Sequence, residues 1–334
     1  MTNPREKLRL ACLSAAKEIR SECAAVLEQP QRQNNNLAGC GEALVQLLYR
    51  QASQLLSLSS QRDETSCRRD ANDADAAEAE RKSRLLLLRR LEDILSTSYS
   101  RFYAYLFKDL PLCWRQLYTD AAILKFAALY LLLFSPDRNN LVSPYSSEDE
   151  QQPLDEMIKT LDLALILAGA AGDKRGRRWI DSAFSLLQEV VTLSSSSQSK
   201  SQNCWDATPS FSAYEPFTPP IRHPVPRAAE PPSLEAFQSY LTASPPPLGT
   251  GPSPLVISSA LTAAWPARTT RPWAKPAYLL SRTFSGRRLV PVEVGRSYVD
   301  PDWTQKFVSF SDFLQQPLLL GQVDASSSSS GPSS

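Results

Sequence analysis

The sequence predicts a multidomain α+β protein, with an all-α amino-terminal domain, a proline-rich linker and a smaller domain that contains strands. Apolar residues recur at helical spacing in the first half, and most of the 26 prolines lie in the second half. Val290, Val292 and Val294 alternate with a period of two, as in a strand. We expect a helical domain at 1–193, a Ser/Pro-rich linker at 194–230, a second domain at 231–317 and a low-complexity tail at 318–334.

The first helix has a well-defined beginning. Asn3 is a candidate N-cap, Pro4 takes the first helical position, and Glu6 follows three residues after the cap. An apolar stripe at spacings of three and four predicts the buried face, formed by Leu8, Cys12, Ala15, Ile19, Cys23 and Val26. A second helix is predicted over 42–58, with its inward face formed by Leu44, Leu47, Leu48, Leu55 and Leu58.

The rest of the front half alternates charged and apolar stretches. Residues 59–80 carry many charges and no apolar period, which predicts a loop; a docking segment for a charged partner is the alternative. Residues 81–134 are apolar nearly all round, which predicts the buried centre of the domain. After a loop at 135–152, two more helical stripes follow, with a C-cap at Gly169–Gly172 between them: Leu154, Ile158, Leu161 and Leu165, then Ile180, Phe184, Leu187 and Val191. The pattern predicts six or seven helices.

Composition argues against several classes of protein. With 36 basic and 35 acidic residues, no global affinity for nucleic acid or membrane is expected. The six cysteines form no Cys-x-x-Cys pair, so neither a zinc site nor a redox dithiol is indicated, and we expect reduced thiols. The charged start predicts no secretory signal, and the longest apolar stretch, 121–134, is too short to cross a bilayer. We therefore expect a soluble intracellular protein, nuclear or cytoplasmic.

Individual residues offer few catalytic candidates. Glycine-rich phosphate loops and a Gly-x-Ser-x-Gly motif are absent from the sequence. The basic run 174–178, KRGRR, is a nuclear-import or acid-binding patch or, as we favour, a solvated turn; Arg287 and Arg288 allow the same two interpretations. Glu293 has no accompanying base or second carboxylate. His223, the one histidine, lies in the linker and is expected to be incidental rather than a metal ligand.

The second domain begins with a helix and continues with strands. Ser233 is a candidate N-cap, and Leu234, Phe237 and Leu241 share one helical face. PLVIS at 254–258 is predicted as the first strand, after which Trp265 is expected to be buried. The sequence LVPVEV at 289–294 predicts a second strand between Gly286 and Gly295. Pro291 lacks an N–H group, so this strand is expected at a sheet edge or paired on one side only.

Two blocks of this domain resemble the opening of a JmjC-type, cupin-fold oxygenase domain. They are PLVISSALTAAWPA at 254–267 and GRRLVPVEVGRSYVDPDW at 286–303, with FSDFL after them. The resemblance is to the branch of JmjC domain-containing protein five, described as lysine demethylases and arginyl hydroxylases. In the front half, CWRQLYTDAAILKFAAL and LDEMIKTLDLALILAGA resemble the helical region that precedes the JmjC domain in that branch.

The resemblance implies a chemistry that this sequence does not complete. Members of the family hold Fe(II) with two histidines and one carboxylate, bind 2-oxoglutarate, and act on protein substrates such as histones or other basic proteins. Tyr298 matches a family tyrosine associated with the 2-oxoglutarate pocket; a tyrosine packed at a loop edge is the alternative. Direct binding to nucleic acid or membrane is not implied.

With one histidine in 334 residues, no catalytic or metal-ligating residue can be assigned in this chain, and neither Fe(II) nor 2-oxoglutarate is expected to be supported by it alone. We expect the incomplete amino-terminal part of a jelly roll, inactive and truncated by a misplaced intron boundary, an early stop or a short isoform. The alternative is a non-enzymatic helical interaction module with a vestigial cupin segment.

Overall fold

The computed structural model describes residues 3–28, 36–65, 74–133, 151–195, 224–243, 252–258, 260–295, 297–299 and 301–314. These residues belong to two compact units. The first unit joins residues 1–200 to residues 287–334, and the second spans residues 201–286. His223 and the tail 318–334 lie outside the described residues, as does most of the predicted linker.

The described elements follow one another in chain order as eight α-helices and four strands. They are α1 (Pro4–Glu28), α2 (Glu42–Thr65), α3 (Ala74–Phe102), α4 (Leu112–Leu133), α5 (Gln151–Ala168), α6 (Arg177–Ser195), β1 (Arg227–Ala228), α7 (Leu234–Thr242), β2 (Val256–Ile257), α8 (Pro276–Ser281), β3 (Leu289–Val294) and β4 (Thr304–Ser309).

Helix α4 is the centre of the first unit, because α1, α2, α3 and α5 all pack against it. Its side chains are buried on every side, from Trp114 near its start to Tyr130 near its end. The sequence of this helix is apolar nearly all round because other helices pack against it on several sides. The predicted buried centre is therefore confirmed for α4. Within the described parts of the chain, no helix is both long enough and apolar enough to cross a bilayer.

The structure confirms both the predicted start of α1 and its predicted buried face. The backbone N–H of Arg5 donates to the Asn3 side-chain oxygen at 3.0 Å, and the helix begins at Pro4. All six residues of the predicted stripe are buried. A simple periodic pattern was sufficient here because α1 packs against its neighbours along one face.

Helix α2 differs from its prediction in length and in rotation. It continues to Thr65, and its buried face includes Val45, Ala52 and Leu56, whereas Leu44, Leu47 and Leu58 are only half buried. The reason is that α2 lies against both α1 and α3 and so uses a face shifted from the leucine stripe.

The charged stretch predicted as a loop is partly helical, and that prediction was wrong for residues 59–65 and 74–80. Within α3, Glu78 forms ion pairs with Arg81 at 2.7 Å and with Lys82 at 3.7 Å. Pairs at these spacings, together with the alanines of this segment, favour a solvent-facing helix without an apolar stripe.

Helix α3 and the turn after it are less buried than predicted. Leu85 and Leu86 are each about half exposed, and an exposed apolar group follows at the α3–α4 connection. This group, called here the connection patch, consists of Tyr103, Tyr105, Leu106 and Leu112. The prediction of burial on all sides was therefore wrong for the α3 part of residues 81–134, because only one face of α3 contacts other helices.

The turn between α5 and α6 depends on glycines. Gly169 has a φ of 65°, and the next N–H, from Ala170, donates to the Ala164 carbonyl at 2.9 Å, which confirms the predicted C-cap. Gly176 packs so closely on the same turn that a Cβ there would lie 2.4 Å from the Ala170 oxygen and 2.5 Å from the Gly172 oxygen. The centres of both predicted helical stripes are buried, while Leu154, Leu165 and Val191 at their edges are half buried.

Strands β3 and β4 form an antiparallel hairpin in the first unit, in register from Leu289 opposite Ser309 to Val294 opposite Thr304. The predicted strand at 289–294 is confirmed, whereas sequence analysis did not identify β4. Among the described residues β3 pairs only with β4, which agrees with the one-sided pairing expected from Pro291.

The second unit has short elements and little buried surface in its described part. The Ser233 hydroxyl accepts from the Ala236 N–H at 3.1 Å, so the predicted cap of α7 is confirmed. However, α7 buries no residue, and β1 and β2 pair in parallel over two residues only. Trp265 is 59% exposed, so its predicted burial was wrong; the buried side chains here are those of Pro276, Leu280 and Phe284.

Replacing Gly176 with alanine tests the close packing of the α5–α6 turn. We expect Gly176→Ala to lower the free energy of unfolding by about 3 kcal/mol or more, because backbone oxygens occupy the space of the new methyl group. The control is Gly41→Ala, where φ is 88° but nothing lies within 4 Å, and a loss of about 1–2 kcal/mol is expected. Urea unfolding measures both, and equal losses would contradict this account.

Candidate functional site

Tyr298 and Glu293, identified separately in the sequence, come together at the tip of the β3–β4 hairpin. The Tyr298 hydroxyl donates to Glu293 Oε2 at 2.7 Å, and its ring lies 5.5 Å from the ring of Trp303. The Glu293 carboxylate raises the pKa of the phenol. Tyr298 is 74% exposed, so this pair lies at the surface rather than in a closed pocket.

Trp303 can lie beside this pair because Gly295, in the hairpin turn, has no side chain. Gly295 has a φ of 136°, and a Cβ there would lie 3.0 Å from the Trp303 Cα. A side chain at this position would be strained by the positive φ and would also crowd the Trp303 backbone. Sequence analysis placed Gly295 at the end of the strand, and the structure adds this close approach.

The residues of this chain do not fit a two-histidine, one-carboxylate iron site. The sequence holds one histidine, and among the described residues no group of three or more His, Cys, Asp or Glu side chains is placed to hold a metal ion. Tyr298 and Glu293 alone provide a hydrogen-bond donor and one carboxylate. These two side chains can hydrogen bond to a polar ligand, but they cannot supply the two imidazoles that the iron site requires.

A buried carboxylate attaches the hairpin to the helices. Asp162 on α5, which is 2% exposed, accepts from Arg288 Nε at 2.6 Å and from the Leu289 N–H at 2.8 Å. The Arg288 guanidinium also lies 4.0 Å over the ring of Phe184 on α6. Burial raises the pKa of Asp162, while Arg288 and the Leu289 N–H oppose that rise. The start of β3 is therefore fixed to two helices by one guanidinium group.

A second, more exposed pair lies beside the first. Arg287 Nε is 2.8 Å from Asp155 Oδ1, and Asp155 is 53% exposed. These two residues border a cavity of about 720 Å³ between the helices and the hairpin, together with Leu129, Lys159 and Asp312. For Arg287 and Arg288 a solvated turn was favoured over a basic patch, and the structure instead pairs each of them with an acidic residue on α5.

The basic run 174–178 contains a buried arginine, which corrects its interpretation as a solvated turn. Arg175 is 3% exposed and contacts Asp120 Oδ1 at 3.1 Å and Glu22 Oε2 at 2.5 Å, with Glu18 at 3.7 Å. The remaining cations of the run, Lys174, Arg177 and Arg178, are exposed. Arg175 therefore joins α1, α4 and the α5–α6 turn, and is unavailable to a transport receptor or an acidic ligand.

Asp120 is the buried partner in this cluster. It is 1% exposed, and burial raises its pKa to about 6, although the adjacent Arg175 guanidinium opposes the rise. Gln116 contributes a further link by donating to Glu22 Oε1 at 2.8 Å.

Curated relatives support the family that the sequence suggested. Lysine-specific demethylase 8 of Danio rerio is 27% identical over 228 residues, which are 68% of this chain and 48% of that protein. Jumonji C domain-containing protein 5 of Drosophila melanogaster is 27% identical over 223 residues, 67% of this chain and 45% of that protein. Lysine-specific demethylase JMJ30 of Arabidopsis thaliana is 45% identical over 64 residues, 19% of this chain and 14% of that protein.

This chain is related to the JmjC-domain proteins. The family resemblance drawn from the VPVEVG block and the helical segments is thereby confirmed. The chain spans about half the length of the curated relatives that it matches over most of its own sequence. No protein-family profile matches it, and no solved structure gives a significant match.

Substitution of Asp162 tests how the hairpin is attached. We expect Asp162→Asn to lower the free energy of unfolding by about 3 kcal/mol, because Arg288 loses its buried counter-charge. The matched control is Asp155→Asn, which removes an exposed partner of Arg287 and should cost less than about 1 kcal/mol. Urea unfolding compares the two variants, and similar losses in both would contradict a dominant role for Asp162.

The raised pKa of Asp120 predicts a pH dependence of stability. Its pKa is about 6 in the folded protein against 3.8 for the unperturbed group, so the folded state takes up this proton first as the pH falls. Protonation of Asp120 therefore stabilises the folded state as the pH falls, and this stabilisation is lost as the pH rises through 6. From pH 7 to pH 5, the free energy of unfolding of the unmodified chain should rise by about 1 kcal/mol relative to that of Asp120→Asn.

The measurement is urea unfolding of both proteins at pH 7, 6 and 5. Asparagine matches aspartate in size and carries no titrating carboxyl, so the difference between the two proteins follows the Asp120 carboxyl. A difference that stays constant or falls on acidification would show that Asp120 titrates in its ordinary range.

Proposed function

We propose that this chain forms the helical region and the first strands of a JmjC-type, cupin-fold oxygenase that acts on protein side chains in the nucleus or cytoplasm. The observation that carries the proposal is the β3–β4 hairpin, which includes the VPVEVG block and is held to α5 through Asp162 and to α6 through Arg288. An isolated hairpin is marginal in water, so this attachment is what keeps the two strands ordered.

The outer edge of β4 suits the opening of a larger sheet. In the described residues β3 and β4 pair only with each other. On β3 the Leu289 N–H already donates to Asp162 and Pro291 has no N–H, so β4 is the strand whose outer edge can accept a further strand. Val294 and Phe307 are each about 40% exposed on the hairpin, so added strands or loops would also cover apolar surface. We propose that the sheet of a complete cupin is built on this platform.

The iron ligands that this sequence offers decide whether we propose that it is active. With a single histidine it does not supply the two imidazoles that hold Fe(II) in the family, so we propose that the 334-residue chain by itself is inactive. In a complete site, Tyr298 would donate its hydroxyl to a carboxylate of 2-oxoglutarate, after breaking its bond to Glu293. The names of the relatives favour a lysine side chain as the target, and the family resemblance favours a histone or another basic protein as the substrate.

A second candidate is a non-enzymatic helical interaction module. The connection patch favours it, since Tyr103 is 75% exposed and Leu106 is 68% exposed, and the two further exposed apolar residues are close to them in the sequence. Exposed aromatic and aliphatic groups that lie together are typical of protein-binding surfaces.

Turnover of 2-oxoglutarate tests the catalytic part of the proposal. The purified chain is incubated with Fe(II), ascorbate, labelled 2-oxoglutarate and a lysine-rich histone peptide, and the released CO₂ is counted. The positive control is the Danio rerio relative under the same conditions. We expect release from the relative and none above the protein-free background from this chain. Turnover by this chain would contradict the proposed inactivity and show that other residues hold the iron.

The family assignment and the interaction module are separated by a second pair of measurements. Binding of the same histone peptide is measured by calorimetry for the unmodified chain and for Leu106→Ser, which alters the connection patch without touching the hairpin. Weak binding that the substitution leaves unchanged favours a substrate platform. Binding that the substitution abolishes favours the interaction module.

A further inference from the structure

Cys40 and Cys113 lie side by side, although they are far apart in the sequence. Cys40 ends the 3₁₀ turn Asn36–Cys40, and Cys113 is the second residue of α4. The two thiols are hydrogen bonded to each other, and each residue is 7% exposed. The sequence did not indicate this pair, because local spacing reveals only cysteines that are neighbours along the chain.

The close approach depends on the glycine before Cys40. A Cβ at Gly39 would lie 2.9 Å from the Cys113 sulfur and 3.3 Å from the Cys113 Cβ. The missing side chain therefore lets the turn contact the first residues of α4. The turn is followed by Gly41, with a φ of 88°, before α2 begins at Glu42.

The surroundings give the two sulfurs different properties. The Cys40 thiol and the backbone N–H groups of Cys113 and Trp114 all donate towards the Cys113 sulfur, and they lower the pKa of Cys113 to about 7. The same hydrogen bond, together with burial, raises the pKa of Cys40. Cys113 is also the second residue of α4, beside the free N–H groups of the helix start, so it is the better placed of the two sulfurs to act as the nucleophile.

The other described cysteines offer a contrast within the same molecule. Cys12 and Cys23 are both fully buried, and burial raises the pKa of each thiol well above its usual range. Neither is placed at the start of a helix. Such thiols are unreactive towards oxidants, because the thiolate is the reacting form.

We propose that Cys113 is a peroxide-reactive thiol and that Cys40 is its resolving partner, so that oxidation joins the 3₁₀ turn to the start of α4 through a reversible disulfide. The thiolate of Cys113 attacks one oxygen of hydrogen peroxide, the O–O bond breaks, and a sulfenic acid forms with release of hydroxide. The Cys40 sulfur then attacks the Cys113 sulfur and displaces hydroxide, which takes the Cys40 proton. Overall, two thiols and one H₂O₂ give one disulfide and two waters.

The disulfide would link the segment after α1 to the central helix of the first unit. Reduction by a small dithiol restores both cysteines, so the modification can be reversed. This cysteine pair is independent of the proposed oxygenase chemistry, since it joins the 3₁₀ turn to α4 and includes no residue of the hairpin.

Peptide mapping tests the proposal directly. The full chain with Cys67→Ser and Cys204→Ser retains only the four described cysteines, and it is treated with a small excess of hydrogen peroxide, alkylated and digested with trypsin. Cys40 and Cys113 fall in separate tryptic peptides, 33–50 and 109–115. We expect these two peptides to be joined by a disulfide that dithiothreitol removes, while Cys12 and Cys23 remain reduced.

Two variants in the same background distinguish the roles. In Cys40→Ser, peroxide should leave a sulfenic acid on Cys113 that dimedone traps in peptide 109–115. In Cys113→Ser, Cys40 should react at least about tenfold more slowly than Cys113 does in Cys40→Ser, because Cys40 is buried and is not at the start of a helix. Absence of the linked peptides in the unsubstituted pair, or equal oxidation of all four cysteines, would overturn the proposal.

Discussion

The contact between Asp162 and Arg288 connects the two kinds of secondary structure in the first unit. The residues lie 126 positions apart, and the carboxylate binds both the guanidinium and the first N–H of β3. Because an uncompensated charge in the interior costs several kcal/mol, each partner fixes the location of the other. The register of β3 on the helices, and with it the location of Tyr298, therefore follows from one buried carboxylate on α5.

The same principle operates in the turn that follows α5. Arg175 follows the glycine turn after this helix and places its guanidinium among Asp120, Glu22 and Glu18. One buried carboxylate on α5 therefore holds the hairpin, and a buried arginine in the turn after α5 joins that turn to α1 and α4. Paired charges contribute less to net stability than apolar packing of similar size, but they specify one arrangement among many that an apolar helix face would allow. This is how a largely leucine-rich bundle presents a hairpin in one defined orientation.

Sequence patterns predicted those parts of the fold that depend on local periodicity. The stripe of α1, the burial of α4, the cap at Ser233 and the β3 strand are all correct, because each needs only the residues within it. Patterns failed where the deciding partner is distant: Arg175 was assigned to a solvated turn because Asp120 and Glu22 lie far away in the sequence. Cys40 and Cys113 were missed for the same reason. Trp265 was expected to be buried after the first strand of the second domain, yet the short elements around it leave it exposed.

The attachment of the hairpin is tested most directly by a double-mutant cycle between Asp162 and Arg288. The free energy of unfolding is measured for the unmodified chain, for Asp162→Asn, for Arg288→Gln and for the double variant, with hydrogen exchange of residues 289–309 followed in each. We predict a coupling energy of about 1–3 kcal/mol and faster exchange in the hairpin for every variant. A coupling energy near zero, with exchange unchanged, would contradict the account, since the hairpin would then be held by contacts other than this pair.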